Sequence, residues 1–204
     1  MILQIDPVEP EPWLLARAAQ VLRDGGVVVM PTDTVYGMTC GITHHEAIRR
    51  IYKLKDMDPK KPLSILVSDM AMVGRYARGV STPAFRILKR VLPGPYTFIF
   101  EASPEVPKIM LRKRRTIGIR MPDNPIALAL LAEMGEPLLS SSILDSEGFV
   151  NDPEEIDVSL GNRVEMVIDG GILLPLPSTV VDLSGSEPVL LRDGRGDVET
   201  LELF

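Results

Sequence analysis

The stretch at residues 27–41 reads VVVMPTDTVYGMTCG and joins a short apolar segment to a polar one. Val27–Met30 is continuously apolar and ends at a proline, which is typical of a strand buried inside a sheet. Thr32, Thr34 and Tyr36 then occupy alternate positions. If the chain stays extended after the proline, their hydroxyls point to one side, because side chains alternate along an extended chain. The stretch therefore predicts an interior strand that leads into a row of hydroxyl groups.

Helical and strand patterns alternate on both sides of this stretch. Apolar side chains recur at helical spacing in Pro12–Arg23, His44–Leu54 and Thr82–Leu92, and Asn124 can cap a further helix that begins at Pro125. The other strand patterns are Leu63–Val67, Tyr96–Phe100, Thr116–Pro122, Leu138–Ser142, Glu165–Ile168, Thr179–Leu183 and Val189–Leu191. About eight strands with four or five helices predict an α/β or α+β domain around one twisted sheet.

Length and composition are those of an ordinary globular domain. The chain has 204 residues, 45% hydrophobic and 25% charged, so we expect one domain over residues 1–204. No apolar run approaches the length of about 18 residues that spans a membrane, and the first residues lack the pattern of a secretory signal. The single cysteine, Cys40, can form neither an internal disulfide nor a cysteine-based zinc site. We expect a cytoplasmic protein without membrane contact or a protein-ligated metal.

Charge is distributed unevenly along a chain whose net charge is −6. Residues 46–61 have six basic and three acidic side chains, and residues 108–120 have six basic and no acidic ones. Residues 145–169 are the reverse, with eight acidic side chains against one arginine. The first two-thirds of the chain are therefore suited to meet a polyanion, and the acidic part is not.

The sequence has no GxxxxGK[ST] phosphate loop, no HExxH and no EF-hand loop, so function has to be inferred from scattered polar residues. Each has a purely structural alternative. Thr32 and Thr34 can satisfy backbone groups in a turn, and Lys55 can be a solvated lysine at a helix end. Arg120 can be an exposed arginine on a sheet face, and Arg192 can fix the turn that follows it. Taken singly, none of these residues defines a site.

Taken in series, seven short motifs resemble those of the YrdC/YciO family. They are PTDTVYG at 31–37, KxxxxxxPL at 55–63, PGPYT at 93–97, IGIRMP at 117–122, PLLSSS at 137–142, STVVDL at 178–183 and LLRDG at 190–194. The motifs cover nearly the whole chain in the family's order, which makes the series far more specific than any one of them. On this resemblance the chain is identified as a member of the family.

The resemblance implies a single YrdC-like domain in which a twisted mixed sheet, flanked by helices, encloses a wide concave groove. Active members make threonylcarbamoyl-adenylate from threonine, bicarbonate and ATP, and release pyrophosphate, for the N6-threonylcarbamoyladenosine modification of tRNA. Magnesium is expected to accompany ATP, where it would neutralise charge on the phosphates.

By the same similarity, Lys55 and Arg120 are expected to act in catalysis. Lys55 would contact the triphosphate, and Arg120 would be a bidentate partner of the amino-acid carboxylate. The expected substrate-binding residues are Thr32, Thr34, Tyr36, Ser178 and Thr179, and the expected nucleotide-binding residues are Lys55, Ser140, Ser142 and Arg192.

Three positions depart from the pattern of the synthases. A KxR motif is replaced by Lys55-Asp56-Met57, and a Ser-x-Asn motif is replaced by Ser142-Ile143-Leu144. Leu66 stands where the synthases have the histidine of PLxxH. Each lost hydrogen-bond partner of a buried ligand costs about 1–3 kcal/mol, so we expect weak or altered activity. The departures place the chain nearer to the YciO-like branch than to the established synthases.

An alternative of another class is a double-stranded RNA, tRNA or ribosome-binding protein that uses the same groove without efficient catalysis. Clustered basic side chains favour it, because they bind phosphates irrespective of base sequence. The cluster consists of Arg112, Lys113, Arg114 and Arg115. Aromatic side chains for stacking on bases are few, so recognition of RNA shape and backbone is expected. The structural alternative is a solvated basic loop.

Overall fold

A computed structural model describes residues 1–56, 63–111, 115–144 and 148–202. Within them the chain forms one mixed sheet of eleven strands together with seven helices. The strands are β1 (Ile2–Gln4), β2 (Val28–Met30), β3 (Gly37–Gly41), β4 (Ser64–Leu66), β5 (Ala77–Arg78), β6 (Tyr96–Ala102), β7 (Thr116–Arg120), β8 (Leu138–Ser142), β9 (Met166–Asp169), β10 (Thr179–Asp182) and β11 (Val189–Arg192). The helices are α1 (Pro12–Arg23), α2 (His45–Leu54), α3 (Met70–Tyr76), α4 (Thr82–Val91), α5 (Lys108–Leu111), α6 (Pro125–Met134) and α7 (Pro153–Leu160).

The strands follow the order β1-β9-β2-β3-β8-β4-β7-β6-β10-β11 across the sheet, and β5 pairs with β6. Four pairs are parallel, namely β1 with β9, β9 with β2, β4 with β7, and β6 with β10. The other pairs are antiparallel. The predicted fold class, a mixed sheet flanked by helices, is confirmed.

The elements predicted from the sequence are present, with ends that shift by at most two residues. At the start of α6, Asn124 is the cap, since its Oδ1 accepts a hydrogen bond from Ala127 N at 2.9 Å. Gly135 ends the same helix with a φ of 67°, a left-handed conformation that glycine adopts without steric cost. The local signals at this helix were therefore sufficient to define both of its ends.

Six short elements were not predicted, which is why the expected counts of strands and helices were too low. They are β1, β3, β5, α3, α5 and α7. The sequence of β3, GMTCG, lacks the apolar and β-branched pattern of a strand. It is nevertheless completely buried, because β2 and β8 pair with it on either side. Pairing with neighbours outweighed local propensity there.

The sheet separates two apolar cores. Along β2, Val29 contributes to the larger core, and Val28 and Met30 contribute to the smaller one, as alternation along a strand requires. The larger core includes buried side chains of α2, α3, α4 and α7. The smaller core is formed under α1 and α6, which pack against each other.

The sheet face under α1 and α6 continues past them as an open groove. Over β8, β4, β7, β6 and β10, its side chains line a cavity of about 400 Å³. Leu66 belongs to the smaller core and also lines the cavity, so it marks the border between the covered and the open parts. Among the helices of the described ranges, none combines the length and hydropathy needed to cross a bilayer.

Candidate functional site

The floor of the groove consists of small and hydroxyl-bearing side chains from adjacent strands. Ser140 on β8 pairs in register with Ser64 on β4, and Ser64 pairs with Gly118 on β7. A Cβ atom at Gly118 would lie 2.6 Å from Ser64 Oγ and 3.3 Å from Thr97 Cγ2. Only glycine therefore fits between these neighbours without displacing them, and the floor stays flat.

Arg120 ends β7 on the groove side, as the alternation in TIGIR predicts. Ile117 and Ile119 point into the larger core, and Gly118 and Arg120 line the groove. Arg120 is only 7% exposed, so the alternative of an ordinary exposed arginine is wrong. The guanidinium is held inside the groove wall.

The partners of Arg120 lie in the turn between β2 and β3. Its Nη2 donates hydrogen bonds to Thr34 Oγ1 at 2.6 Å and to Thr32 Oγ1 at 3.1 Å, and forms an ion pair with Oδ1 of Asp33. Burial lowers the pKa of the guanidinium, and the carboxylate of Asp33 opposes that effect. An arginine stays protonated even so, which leaves a buried positive charge beside the groove.

The segment between β2 and β3 turns instead of staying extended. Thr32 Oγ1 accepts hydrogen bonds from the backbone N–H groups of Thr34 and Val35 at 3.2 and 3.3 Å, and donates to Val35 O at 2.7 Å. Threonine favours turns through such bonds. The hydroxyl of Tyr36 points elsewhere, since it donates to Gly171 O at 2.8 Å. The prediction of one row of three hydroxyls is therefore wrong for Tyr36, because the backbone changes direction after the proline. The hydroxyls of Thr32 and Thr34 do lie together, with their Oγ1 atoms 3.2 Å apart.

Four of the predicted substrate-binding residues lie behind the groove wall. Thr32, Thr34, Tyr36 and Thr179 are at most 2% exposed, and none of them lines the cavity in the described part of the chain. Burial raises the pKa of the Tyr36 phenol well above its ordinary value. Thr179 Oγ1 donates to a backbone carbonyl of the loop after β11, at 2.6 Å. These four side chains therefore support the groove wall from behind and do not form its surface.

Lys55 follows α2 directly and reaches across to β8. Its Nζ donates to Ser141 Oγ at 2.6 Å and to the carbonyl oxygen of Ser142. Lys55, Ser140 and Ser142 all line the groove, and their role in binding a nucleotide stays a prediction. The lysine is partly buried, so it is not the freely solvated side chain of the structural alternative.

Ser178 and Arg192 form the opposite side of the groove. Arg192 Nε donates to Ser178 O at 2.8 Å, and its Nη2 donates to Ser178 Oγ at 3.1 Å. The hydroxyls of Ser178 and Thr97 are 2.8 Å apart. Desolvation and the nearby charge of Arg120 both lower the pKa of Arg192. Two guanidinium groups therefore act on the same cavity.

The lining of the groove has one sign of charge. Among the described residues it includes Lys55, Arg120 and Arg192, and no aspartate or glutamate. Clefts lined by cations attract and concentrate anions. The arrangement is therefore suited to a ligand with several negative charges, and its hydroxyl groups can supply further hydrogen bonds.

Several predicted positions fall outside the described residues, and several groove residues were not predicted. Met57 and the basic residues Arg112, Lys113 and Arg114 lie outside the described ranges. Arg115 is described, and it is exposed immediately before β7. Leu144 is 53% exposed and lines the groove with Phe149. The residues that sequence reasoning missed are Asp33, Ser64, Thr97, Gly118 and Arg195. Strand alternation could have found Ser64, Thr97 and Gly118, and no local signal could have paired Asp33 with Arg120.

Comparison with known proteins agrees with the motif series. Residues 20–194 match the Sua5/YciO/YrdC family, which is described as telomere recombination. The YciO protein of Escherichia coli strain K12 is 41% identical over 198 residues, which are 96% of each chain. The crystal structure of E. coli YciO matches with a TM-score of 0.93 and 40% identity over 98% of both chains.

Longer relatives have a name that states an activity. A threonylcarbamoyl-AMP synthase of Pyrococcus abyssi is 30% identical over 194 residues, which are 94% of this chain and 57% of the synthase. The crystal structure of P. abyssi Sua5 complexed with L-threonine matches with a TM-score of 0.93 and 30% identity, over 99% of this chain and 60% of that one. The chain thus belongs to the Sua5/YciO/YrdC family, as a YciO-like member related to the threonylcarbamoyl-AMP synthases.

Proposed function

We propose that the protein is a nucleotidyltransferase of the L-threonylcarbamoyladenylate synthase type, with weak or altered activity, that acts in the cytoplasm on ATP, threonine and bicarbonate. The observation that supports this most is the groove itself, which three cations line without a carboxylate among its described residues. The similarity to threonylcarbamoyl-AMP synthases over nearly the whole chain supports threonine, bicarbonate and ATP as its substrates.

The chemistry needs positioning and charge more than a reactive side chain. The amine of threonine adds to the carbon of bicarbonate, water leaves, and a carbamate forms. A carbamate oxygen then attacks the α-phosphorus of ATP, the bond from that phosphorus to the bridging oxygen breaks, and pyrophosphate leaves. Negative charge accumulates on the phosphates during this step, so cations near them lower the barrier.

The described side chains fit these roles from two sides of the groove. Lys55 would contact the triphosphate, and Ser140, Ser142 and Arg192 would hold the nucleotide. Arg120 would pair with the carboxylate of threonine, and Ser178 would contact the same substrate. The four buried residues Thr32, Thr34, Tyr36 and Thr179 would act indirectly, by fixing the wall.

Magnesium would enter with ATP as part of the substrate. Among the described residues, no group of three or more His, Cys, Asp or Glu side chains could hold a metal ion. The phosphates themselves bind magnesium in many nucleotide sites, together with water. We therefore propose no resident metal.

Reduced activity is proposed from the composition of the groove. Leu144 presents an apolar side chain to the cavity at the position where the synthases have an asparagine amide. Leu66 is 1% exposed and packs in the smaller core, where a histidine would offer a polar group to the groove. A polar ligand loses a hydrogen-bond partner at each position. The RNA-binding alternative stays a prediction, since no contact of the described residues favours it.

The test is release of pyrophosphate from ATP and magnesium by purified protein, with threonine and bicarbonate each omitted in turn. We expect slow release that needs both compounds. Lys55→Ala should abolish most of it, and Lys53→Ala, which changes an exposed lysine near the end of α2, should leave it unchanged. The absence of release above a heat-denatured control, at high protein concentration, would disprove the proposed function.

A further inference from the structure

We propose that Asp33 is a positioning residue. It binds Nη2 of Arg120, so that the rest of the guanidinium can receive a ligand carboxylate. The inference deepens the proposed function and rests on it only in taking threonine as that ligand. Asp33 has no role assigned to it by the motifs, and its side chain does not line the groove in the described part of the chain.

The ion pair between these residues is buried but incompletely formed. Their side chains are 9% exposed for Arg120 and 8% for Asp33. All hydrogen bonds of the guanidinium in the described structure leave from Nη2, which has three acceptors. Arg120 Nε and Asp33 Oδ2 are both buried and have no partner among the residues that the structure describes. A pair that served stability alone would be expected to use two parallel bonds, which is the common geometry of arginine and a carboxylate.

The hydrogen bonds on Nη2 determine how the guanidinium of Arg120 is oriented. Crowding of three acceptors on Nη2 leaves Nη1 without a hydrogen bond among the described residues, while Arg120 lines the cavity. Buried polar atoms that lack partners are costly, so each of them calls for a physical explanation. Here the reason would be the orientation of Arg120, whose Nη1 remains available to an anion in the groove.

Asp33 is itself held from a distant part of the chain. Nη1 of Arg195, in the loop after β11, donates to the backbone carbonyl of Asp33. The charge of Arg195 also acts on Arg120. A neutral side chain at position 33 would leave Arg120 close to Arg192 and Arg195 without a compensating carboxylate. Both the charge and the position of Asp33 therefore contribute to holding Arg120 in place.

The variant that tests the proposal is Asp33→Asn, which keeps the shape of the side chain and removes its charge. Calorimetry should show binding of L-threonine weakened by about tenfold or more, since an oriented bond to a charged group is lost. L-threoninol lacks the carboxylate, so its binding should change little. Binding of magnesium ATP should also stay close to that of the parent. The control is Glu105→Gln, at the exposed Arg75–Glu105 pair, where no ligand should respond.

Two outcomes would overturn the proposal. One is a folded Asp33→Asn protein that binds L-threonine as the parent does. The other is an equal loss for L-threonine and L-threoninol, because that result indicates a structural role only. If the parent binds neither threonine nor ATP, the proposed function fails.

A second measurement tests the fixed orientation of Arg120 without any ligand and without the variant. In ¹⁵N NMR of the parent, the Arg120 guanidinium should show restricted rotation and slowed proton exchange on one amino group. Averaged signals, as for a freely rotating guanidinium, would contradict the orientation by Asp33. This readout stays decisive if Asp33→Asn fails to fold.

Discussion

One row of paired residues crosses the sheet from its covered part to its open part. Met166 pairs with Val28, Val28 with Thr39, Thr39 with Ser140, and Ser140 with Ser64. At the covered end, Met166 and Val28 are fully buried in the smaller core under α1 and α6. At the open end, Ser140 and Ser64 line the groove. Along the same row, the side chains change from large and apolar to small and hydroxylic.

The difference explains how one sheet serves two purposes. A helix that covers a large apolar side chain stabilises the fold by about 25 cal/mol per Å² of buried apolar surface. A serine gains little from such cover, and its hydroxyl would then need a partner. The covered end therefore contributes stability, and the open end keeps the space and the hydrogen-bonding groups that a polar ligand requires.

Arg120→Ala is expected to have the largest effect on the comparison between the two ends of the sheet, because Arg120 lies at the open end and is nevertheless buried. Removal of the guanidinium leaves Asp33 as an unpaired buried charge, so we expect about 3–5 kcal/mol less free energy of unfolding. Chemical denaturation checks this value. Arg75→Ala removes an exposed ion pair with Glu105 and should cost at most about 1 kcal/mol. Equal losses for the two variants would contradict the buried pair.

Leu130→Ala tests the covered end. Leu130 of α6 has no exposure and packs in the smaller core, so truncation should cost about 2–5 kcal/mol of unfolding free energy. Ser64→Ala at the open end should change it by no more than about 0.5 kcal/mol. Ligand binding should respond in the opposite order: Ser64→Ala should weaken it, and Leu130→Ala should leave it close to that of the parent. A Ser64→Ala protein as unstable as Leu130→Ala would remove the distinction between the two ends.

Gly118→Ala sharpens the role of the flat floor. The added methyl would press on Ser64 and Thr97, and overpacking of this kind costs about 1–3 kcal/mol. It would also project into the groove and weaken nucleotide binding, measured by calorimetry. Gly74→Ala in α3 is the matched control, because its Cβ would meet no atom of the described residues within 4 Å. That change should stabilise the helix slightly. Unaltered binding by Gly118→Ala would place the ligand elsewhere.

The smallest effect concerns pH and Cys40, on β3 between the two ends. Burial raises the pKa of its thiol from 9.0 to about 12. In the unfolded chain the thiol loses its proton at lower pH than in the folded one. The stabilising contribution is therefore complete below pH 9 and is lost as the pH rises toward 12. The free energies of unfolding of the parent and of Cys40→Ala, measured by denaturation at a series of pH values, should diverge over that window. An equal dependence on pH would contradict the burial of the thiol.

Much of the fold could be predicted because its signals are local. Asn124 and Gly135 defined α6 from single residues at its ends, and the alternation in TIGIR placed Arg120 on the opposite side from Ile117 and Ile119. β3 could not be predicted, since its burial comes from the strands on either side. The extended path expected for Thr32, Thr34 and Tyr36 failed for a related reason, because hydrogen bonds within the turn outweighed the alternating pattern.

The family, the mixed α/β fold class, and the groove-facing positions of Lys55, Arg120 and Arg192 could be inferred from the sequence alone. Those conclusions depend on motif order and on periodicity within single elements. Tertiary packing, in contrast, determines which part of the sheet face α1 and α6 cover and which partners hold Arg120. The carboxylate of Asp33 is 87 positions from Arg120, and Arg195 is 162 positions from Asp33. Contacts at such separations arise from the packing of the whole sheet, so no local pattern in the chain encodes them.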